Sequence, residues 1–192
     1  MTLIENLKIN NIKISVKLEV PIDLAYVQQR CTELNVYCRK ISNNFLTIRH
    51  TYTYIVFKKG CTKDKQHINC TKITHPDEIP NVISNLLYLI NQPQVILEHK
   101  IDNYSCSAAL NKLIDVDHFF MNEINISCTY NPEKFPACVI RAPEIFDNKS
   151  LCCLLYKSGK LVLVGAKRWT EVHVFYNWIK KVTCPYTLQG DV

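Results

Sequence analysis

Apolar and polar positions along the chain mark out strands, turns and two closing helices. The most telling run is "LLYKSGKLVLVGAK", residues 154–167. Two apolar stretches flank Lys157-Ser158-Gly159-Lys160, which predicts a β-hairpin closed by a Gly-containing turn. In the second strand Leu161 and Leu163 share one face, and Val162 and Val164 share the other. Antiparallel hairpins usually leave one face polar and wet. Here neither face is polar, so each needs something to cover it.

The pattern is written twice. "KINNIKISVKL" (8–18) and "KIDNYSCSAAL" (100–110) share Lys-Ile-x-Asn at an offset of 92. "LTIRH" (46–50) and "CVIRA" (138–142) place Ile-Arg at the same offset. "YIVFKKG" (54–60) answers "LLYKSGK" (154–160), and "INCTK" (68–72) answers "VLVGA" (162–166) about 93 residues on. Length differences fall in turns such as 61–66 and 142–150. Each half begins with a long strand, about 7–19 and 95–107. Pro21-Ile22-Asp23 reads as a helix start, with Leu24, Val27 and Cys31 at helical spacing over 23–34. The corresponding helix is expected over 108–122, on Leu110, Leu113, Ile114 and Val116 ahead of Phe119-Phe120. Strands follow at about 43–50, 52–59 and 66–73, and helices close the halves at 76–91 and 169–182. The last helix carries Val172, Phe175, Tyr176 and Ile179 as a core stripe. The expected class is α+β, an antiparallel sheet with helices on one face, in two repeats, 1–92 and 93–192.

Charge is unequal between the repeats. Residues 1–92 carry 12 Lys/Arg against 7 Asp/Glu, hence +5; residues 93–192 carry 11 against 10, hence +1. A basic first half hints at a polyanionic partner. No apolar run reaches the roughly 18 residues that span a bilayer, and "MTLIENLKINNIK" lacks a signal core, so an intracellular protein without a membrane role is expected. Ten cysteines in irregular spacing, with no Cys-x-x-Cys, favour free thiols over a disulfide scaffold or a zinc site. No nucleophile–base set, phosphate loop or metal cluster is visible, so neither catalysis nor a cofactor is expected.

"TYNPEKFPACVIR" (129–141) followed by "LLYKSGKLVLVGAK" resembles the second repeat of the TATA-box-binding-protein family. The matching pieces are Tyr-Asn-Pro-x-x-Phe, Ile-Arg and Ser-Gly-Lys-x-Val-x-x-Gly-Ala-Lys, in that order. The first half aligns more weakly, through "NNIKISVKL", "IRH", "IVFKKG" and "INCTK". The resemblance implies a saddle: a curved ten-stranded sheet, four helices on the convex side, and a concave underside lying in the DNA minor groove. Bending by aromatic insertion belongs to what that family does.

Site residues follow from the resemblance. The family's central asparagines fall on Asn11 and Asn103, where they would donate to base acceptors in the groove floor; as ordinary edge amides they would carry no such role. Other floor positions fall on Lys13, Asn69, Thr71, Ser105, Val162 and Val164. Thr71 matches a base-contacting threonine whose repeat partner here is Val164, Asn69 answers Val162, and Lys13 and Ser105 replace valines. These changes make the underside wetter and more basic in the first half. The intercalating aromatics fall on Phe57, Phe135 and Tyr156. The fourth wedge has two candidates, Asn43 in strict register and Phe45 two residues on along the same face. Phosphate contacts fall on Arg49, Lys72, Arg141, Lys160 and Lys167, with Lys58 and Lys59 as neighbours. Glu133 and Lys134 lie where the family meets a partner factor.

The resemblance thus implies a divergent transcription initiation factor. It would bind and bend A·T-rich promoter DNA and recruit B-like and A-like general transcription factors and the polymerase machinery. A homodimer through the open face is expected when DNA is absent. The competing expectation is an interaction protein that keeps the saddle, has lost or altered DNA binding, and sequesters or replaces host factors. A saddle-like recognition domain of a nucleic-acid enzyme is a third. The Asn-, Ile- and Lys-rich makeup suggests an AT-rich genome, such as that of a large DNA virus or a parasite. The place of action would then be the nucleus or a cytoplasmic viral factory.

Overall fold

The structure, a computed structural model, describes residues 7–19, 21–58, 66–91 and 96–188. Lys59 and most of the 61–66 turn lie outside the described residues. In chain order the elements of the first half are β1 (Leu7–Leu18), α1 (Leu24–Glu33), β2 (Tyr37–Ser42), β3 (Phe45–Arg49), β4 (Thr53–Phe57), β5 (Gln66–Ile73) and α2 (Ile79–Ile90). Those of the second half are β6 (Ile96–Ala109), α3 (Val116–Asn122), β7 (Cys128–Asn131), β8 (Phe135–Arg141), β9 (Cys152–Tyr156), β10 (Lys160–Ala166) and α4 (Trp169–Thr183). The strands hydrogen-bond in the order β2-β3-β4-β5-β1-β6-β10-β9-β8-β7. The chain divides into two compact units, one of Asn11–Asp102 and the other of Met1–Asn10 with Asn103–Val192.

In the unit Asn11–Asp102 alternate apolar residues of β1, β3, β4 and β5 are buried. Ile12, Ile14, Val16 and Leu18 of β1 join Leu46, Ile48, Tyr54, Val56, Ile68 and Cys70 in the core. Helices α1 and α2 cover that face with Val27 and Cys31, and with Val82, Leu86 and Leu89. Asp23 caps α1 by accepting from the Ala25 N–H at 2.8 Å. The buried Tyr54 hydroxyl ties strand to helix, donating within reach of Val82 O (3.1 Å) and Asn85 Oδ1 (3.0 Å). In the other unit Cys106, Cys138, Ile140, Cys153, Leu155, Leu161 and Leu163 pack beneath Val172, Phe175, Tyr176 and Ile179 of α4. Leu161 and Leu163 therefore face the helix, as the hairpin pattern requires.

The β9–β10 turn depends on Gly159, whose φ is 75° and whose N–H donates to Tyr156 O at 2.9 Å. A Cβ there would stand 2.1 Å from Lys112 O. The nine described cysteines are free thiols. Burial pushes Cys31, Cys70, Cys106 and Cys138 up to about 12, which leaves them unreactive at neutral pH.

Two expectations are corrected. The helix expected over 108–122 is only Val116–Asn122. Residues 110–114 form a bend with Asn111 left-handed (φ 56°) and a single bridge at Ile114 instead, because their backbone bonds go elsewhere: Leu110 N–H to Gly159 O, Ile114 N–H to Lys157 O, and Leu188 N–H to Leu113 O. Asp115 then caps the short helix through the His118 N–H. The strand β2 is an element the pattern did not predict. It is an edge strand, exposed at five of its six positions, so it shows no apolar alternation.

Candidate nucleic-acid interface

The sheet face away from the helices has a different make-up in each unit. In Asn11–Asp102 it carries Thr47 and Arg49 of β3, Thr53, Ile55 and Phe57 of β4, and His67, Asn69 and Thr71 of β5. Register settles this, since Thr47 stands opposite Ile55, Ile55 opposite Asn69, and Asn69 opposite Ser15 of β1. Lys13 and Lys17 lie on the same face of β1. Burial first, then Lys17 and Lys100, pushes His67 below its ordinary value, so its imidazole is neutral at pH 7. In the other unit the matching positions are Val139, Leu154, Val162 and Val164, with Ser105 and Ser107 of β6. A hollow of about 580 Å³ opens there, walled by Tyr156, Val162 and Ser107 and flanked by Lys8 and Lys160.

Aromatic pairs stand on both hairpins. Phe45 is directly opposite Phe57, with ring centroids 5.7 Å apart. Phe135 and Tyr156 are 6.5 Å apart, but Tyr156 is opposite Ala137, so this pair is diagonal. The difference lies in the preceding turns. Ser42 pairs with Phe45 and leaves a two-residue turn, Asn43-Asn44, whereas Asn131 pairs with Phe135 across Pro132, Glu133 and Lys134. Asn43 thus sits in a turn, and Phe45 is the ring that reaches Phe57.

The two central asparagines are held alike. Asn11 Oδ1 accepts from the Lys72 N–H at 2.8 Å, and Asn103 Oδ1 accepts from the Gly165 N–H at 2.6 Å. Their amide nitrogens have no hydrogen-bond partner among the described residues. Each accepted N–H belongs to a bulge: β5 and β1 shift register between Ile12 and Ile14, and β10 and β6 between Leu163 and Ala166. The bulge residues are left-handed, Lys72 with φ 68° and Gly165 with φ 92°.

Arg49, Lys72, Arg141, Lys160 and Lys167 are all exposed. Arg49 lies over the Tyr37 ring, 5.5 Å from its centroid. Glu133 and Lys134 are exposed in the β7–β8 turn, where the Lys134 N–H closes onto Asn131 O. The pattern-based reading missed a pair of contacts that repeat: Ser15 Oγ donates to Asp102 Oδ1 at 3.1 Å, and Ser107 Oγ donates to Asn10 Oδ1 at 3.0 Å. The signal was present, because Asn10 and Asp102 are the variable position of the shared Lys-Ile-x-Asn.

Comparison with known proteins bears on the fold and the family. Residues 98–182 match the family model described as transcription factor TFIID, or TATA-binding protein. The fold aligns with that of Methanococcus jannaschii TBP at a TM-score of 0.74, over 94% of this chain and 99% of that one, at 22% identity. The second repeat matches the TATA-box-binding-protein family, and the rest of the chain resembles its members more distantly. The chain's α+β fold, with ten antiparallel strands and four helices, is that of the family. The TATA-box-binding protein of Sulfolobus acidocaldarius is 31% identical over 126 residues, which cover 63% of this chain and 57% of the relative. That of Aeropyrum pernix is 27% identical over 180 residues, covering 91% and 81%. The chain thus matches little more than half the length of the first of these relatives. TATA-box-binding proteins serve in transcription initiation, and none of their work calls for catalysis. No described helix is long and apolar enough to cross a membrane, and no described His, Cys, Asp and Glu residues cluster as a metal site.

Proposed function

We propose that this protein is a transcription initiation factor that binds A·T-rich promoter DNA through the minor groove and bends it. The observation that carries this reading is the pair of ring pairs, Phe45–Phe57 and Phe135–Tyr156, on equivalent hairpins of two repeats, 1–92 and 93–192. Rings standing off the uncovered face of a sheet are placed to enter between base steps and unstack them. The uncovered face of each unit then meets the base edges. Asn11 and Asn103 donate to base acceptors, with their oxygens already engaged by the bulge N–H groups. Lys13, Asn69, Thr71, Ser105, Val162 and Val164 line the groove, and Arg49, Lys72, Arg141, Lys160 and Lys167 hold phosphates. Glu133 and Lys134 meet a B-like factor, an A-like factor and the polymerase machinery complete the assembly, and the uncovered faces pair in a homodimer when DNA is absent. The site of action is the nucleus, or a cytoplasmic viral factory if the source is a DNA virus.

Carboxylates on the uncovered face favour a second reading. Glu98 pairs with Lys17, and Asp102 lies beside Lys13 and Lys100, so these carboxylates offset the basic charge that would attract a polyanion, as in an interaction protein that no longer binds DNA. One titration separates the two. Fluorescence anisotropy on an A·T-rich duplex is expected to show binding that a minor-groove ligand such as netropsin displaces. Failure to bind any duplex at moderate salt would leave only the second reading.

A further inference from the structure

The one-residue slip in each long strand sets two side chains in equivalent places with opposite hydrogen-bonding character. In β1 burial falls on Leu7 and Ile9, then on Ile12, Ile14 and Val16, so Asn10 and Asn11 both point to the uncovered face. In β6 Asp102 and Asn103 behave alike. Asp102 contacts Ser15 and Lys13, Asn103 contacts the Gly165 N–H, and Tyr104 and Cys106 are buried. Ser107 donates to Asn10, and Ser15 donates to Asp102. An amide stands in one unit and a carboxylate in the other.

The chemistry of the two differs. With its oxygen engaged by Ser107, Asn10 offers its amide N–H groups, which any base pair can accept in the minor groove. Asp102 can only accept. Among the described residues one hydrogen bond, from Ser15, occupies it. The ammonium groups of Lys13 and Lys100 stand at 3.8 Å and 3.9 Å, beyond hydrogen-bond distance. A carboxylate has about four acceptor positions, so this one keeps acceptor capacity, and its side chain is 24% exposed on that face. The minor-groove edge of A·T carries acceptors only, and the guanine N2 amino group is the one donor any pair presents there. Over A·T, Asp102 would be desolvated against other acceptors; over G·C it finds a partner.

We infer that Asp102 accepts a hydrogen bond from the exocyclic amino group of a guanine, so that the preferred DNA site carries a G·C pair in the half read by Asn11–Asp102. The inference rests on the groove-binding reading above. It also gives a role to a carboxylate that would otherwise only weaken binding.

Inosine isolates the group, because I·C lacks the N2 amino and keeps the rest of the pairing edge. A·T-rich duplexes are made with a single G·C or I·C pair stepped through the site, and affinities are read by anisotropy. At one position G·C is expected to bind about tenfold tighter than I·C, and Asp102→Asn is expected to bring that ratio to about one. Asn10→Asp should create a second such position. The wild-type chain already carries an amide at the position of Asn10, so Asp102→Asn is expected to fold, with circular dichroism as the check. Equal affinity for G·C and I·C at every position would overturn the inference while leaving groove binding intact. So would an Asp102→Asn variant that tightens binding to all duplexes alike. Absence of wild-type binding to every duplex would overturn the groove reading and this inference together.

Discussion

Lys72 has a φ of 68°, and the residue at the same bulge in the other unit is Gly165, with φ 92°. The left-handed region costs a residue with a Cβ about 1–2 kcal/mol, while glycine enters it freely. Lys72→Gly should therefore raise stability by about 1 kcal/mol, read as a higher denaturant midpoint with unchanged slope. The same variant should weaken DNA binding, since it removes a candidate phosphate contact. A stabilised variant with unaltered affinity would show that Lys72 does not touch DNA. Gly165 is constrained more tightly still, because a Cβ there would stand 1.9 Å from Ser150 O. The repeat pairing of Thr71 with Val164, one residue earlier in each strand, already implied Lys72 against Gly165. What it could not show is the backbone: only the register shift reveals that Lys72 is strained and that its N–H secures Asn11.

At the scale of elements, both closing helices start with the same device. Glu78 accepts from the Thr74 N–H, the Thr74 hydroxyl and the His75 N–H. Glu171 accepts from the Lys167 N–H, Asn148 Nδ2 and Arg168 Nε. Burial pushes Glu171 up, but these bonds outweigh it and hold the carboxyl below 4.5. A lowered carboxyl contributes stability that is complete above its ordinary value near 4.5 and disappears as pH falls through the lowered value. Glu171→Gln should cost about 1–2 kcal/mol at pH 7, and the loss should shrink toward zero below that window in thermal melts at stepped pH. A loss independent of pH would mean that packing, not charge, carries the effect. The helices, the long strands and the β9–β10 hairpin were legible because burial imposes a period on them. The edge strand β2 was not, because solvent reaches both of its faces and its residues obey no alternation. The helix expected over 108–122 failed for the opposite reason. Leu110 and Ile114 have helical spacing, but their N–H groups bond residues of the 157–159 turn rather than their own segment. Of the interface, the rings, asparagines and basic residues came from the family pattern. That Phe45, and not Asn43, stands opposite Phe57 needed the two-residue turn, which fixes the ladder.

For the whole molecule, the proposed phosphate contacts set a measurable quantity. Five cations, Arg49, Lys72, Arg141, Lys160 and Lys167, should release counterions on binding and give a slope of log affinity against log salt near −4.5, about 0.9 for each contact. Loss of Arg141 to alanine should reduce that slope by about one while leaving sequence preference unchanged. The uneven uncovered faces, apolar beside Val162 and Val164 and polar around Asn69 and Thr71, should make the two halves of a site unequal in their tolerance of base changes. The central claim is that paired rings deform the duplex, and end-to-end energy transfer across a doubly labelled A·T-rich duplex tests it most directly. Wild-type protein should bring the labels closer on binding. The double variant Phe57→Ala/Phe135→Ala should still bind through its cations at low salt but leave the end-to-end distance that of free DNA. A wild-type complex whose labels stay at the free-duplex distance would contradict the account.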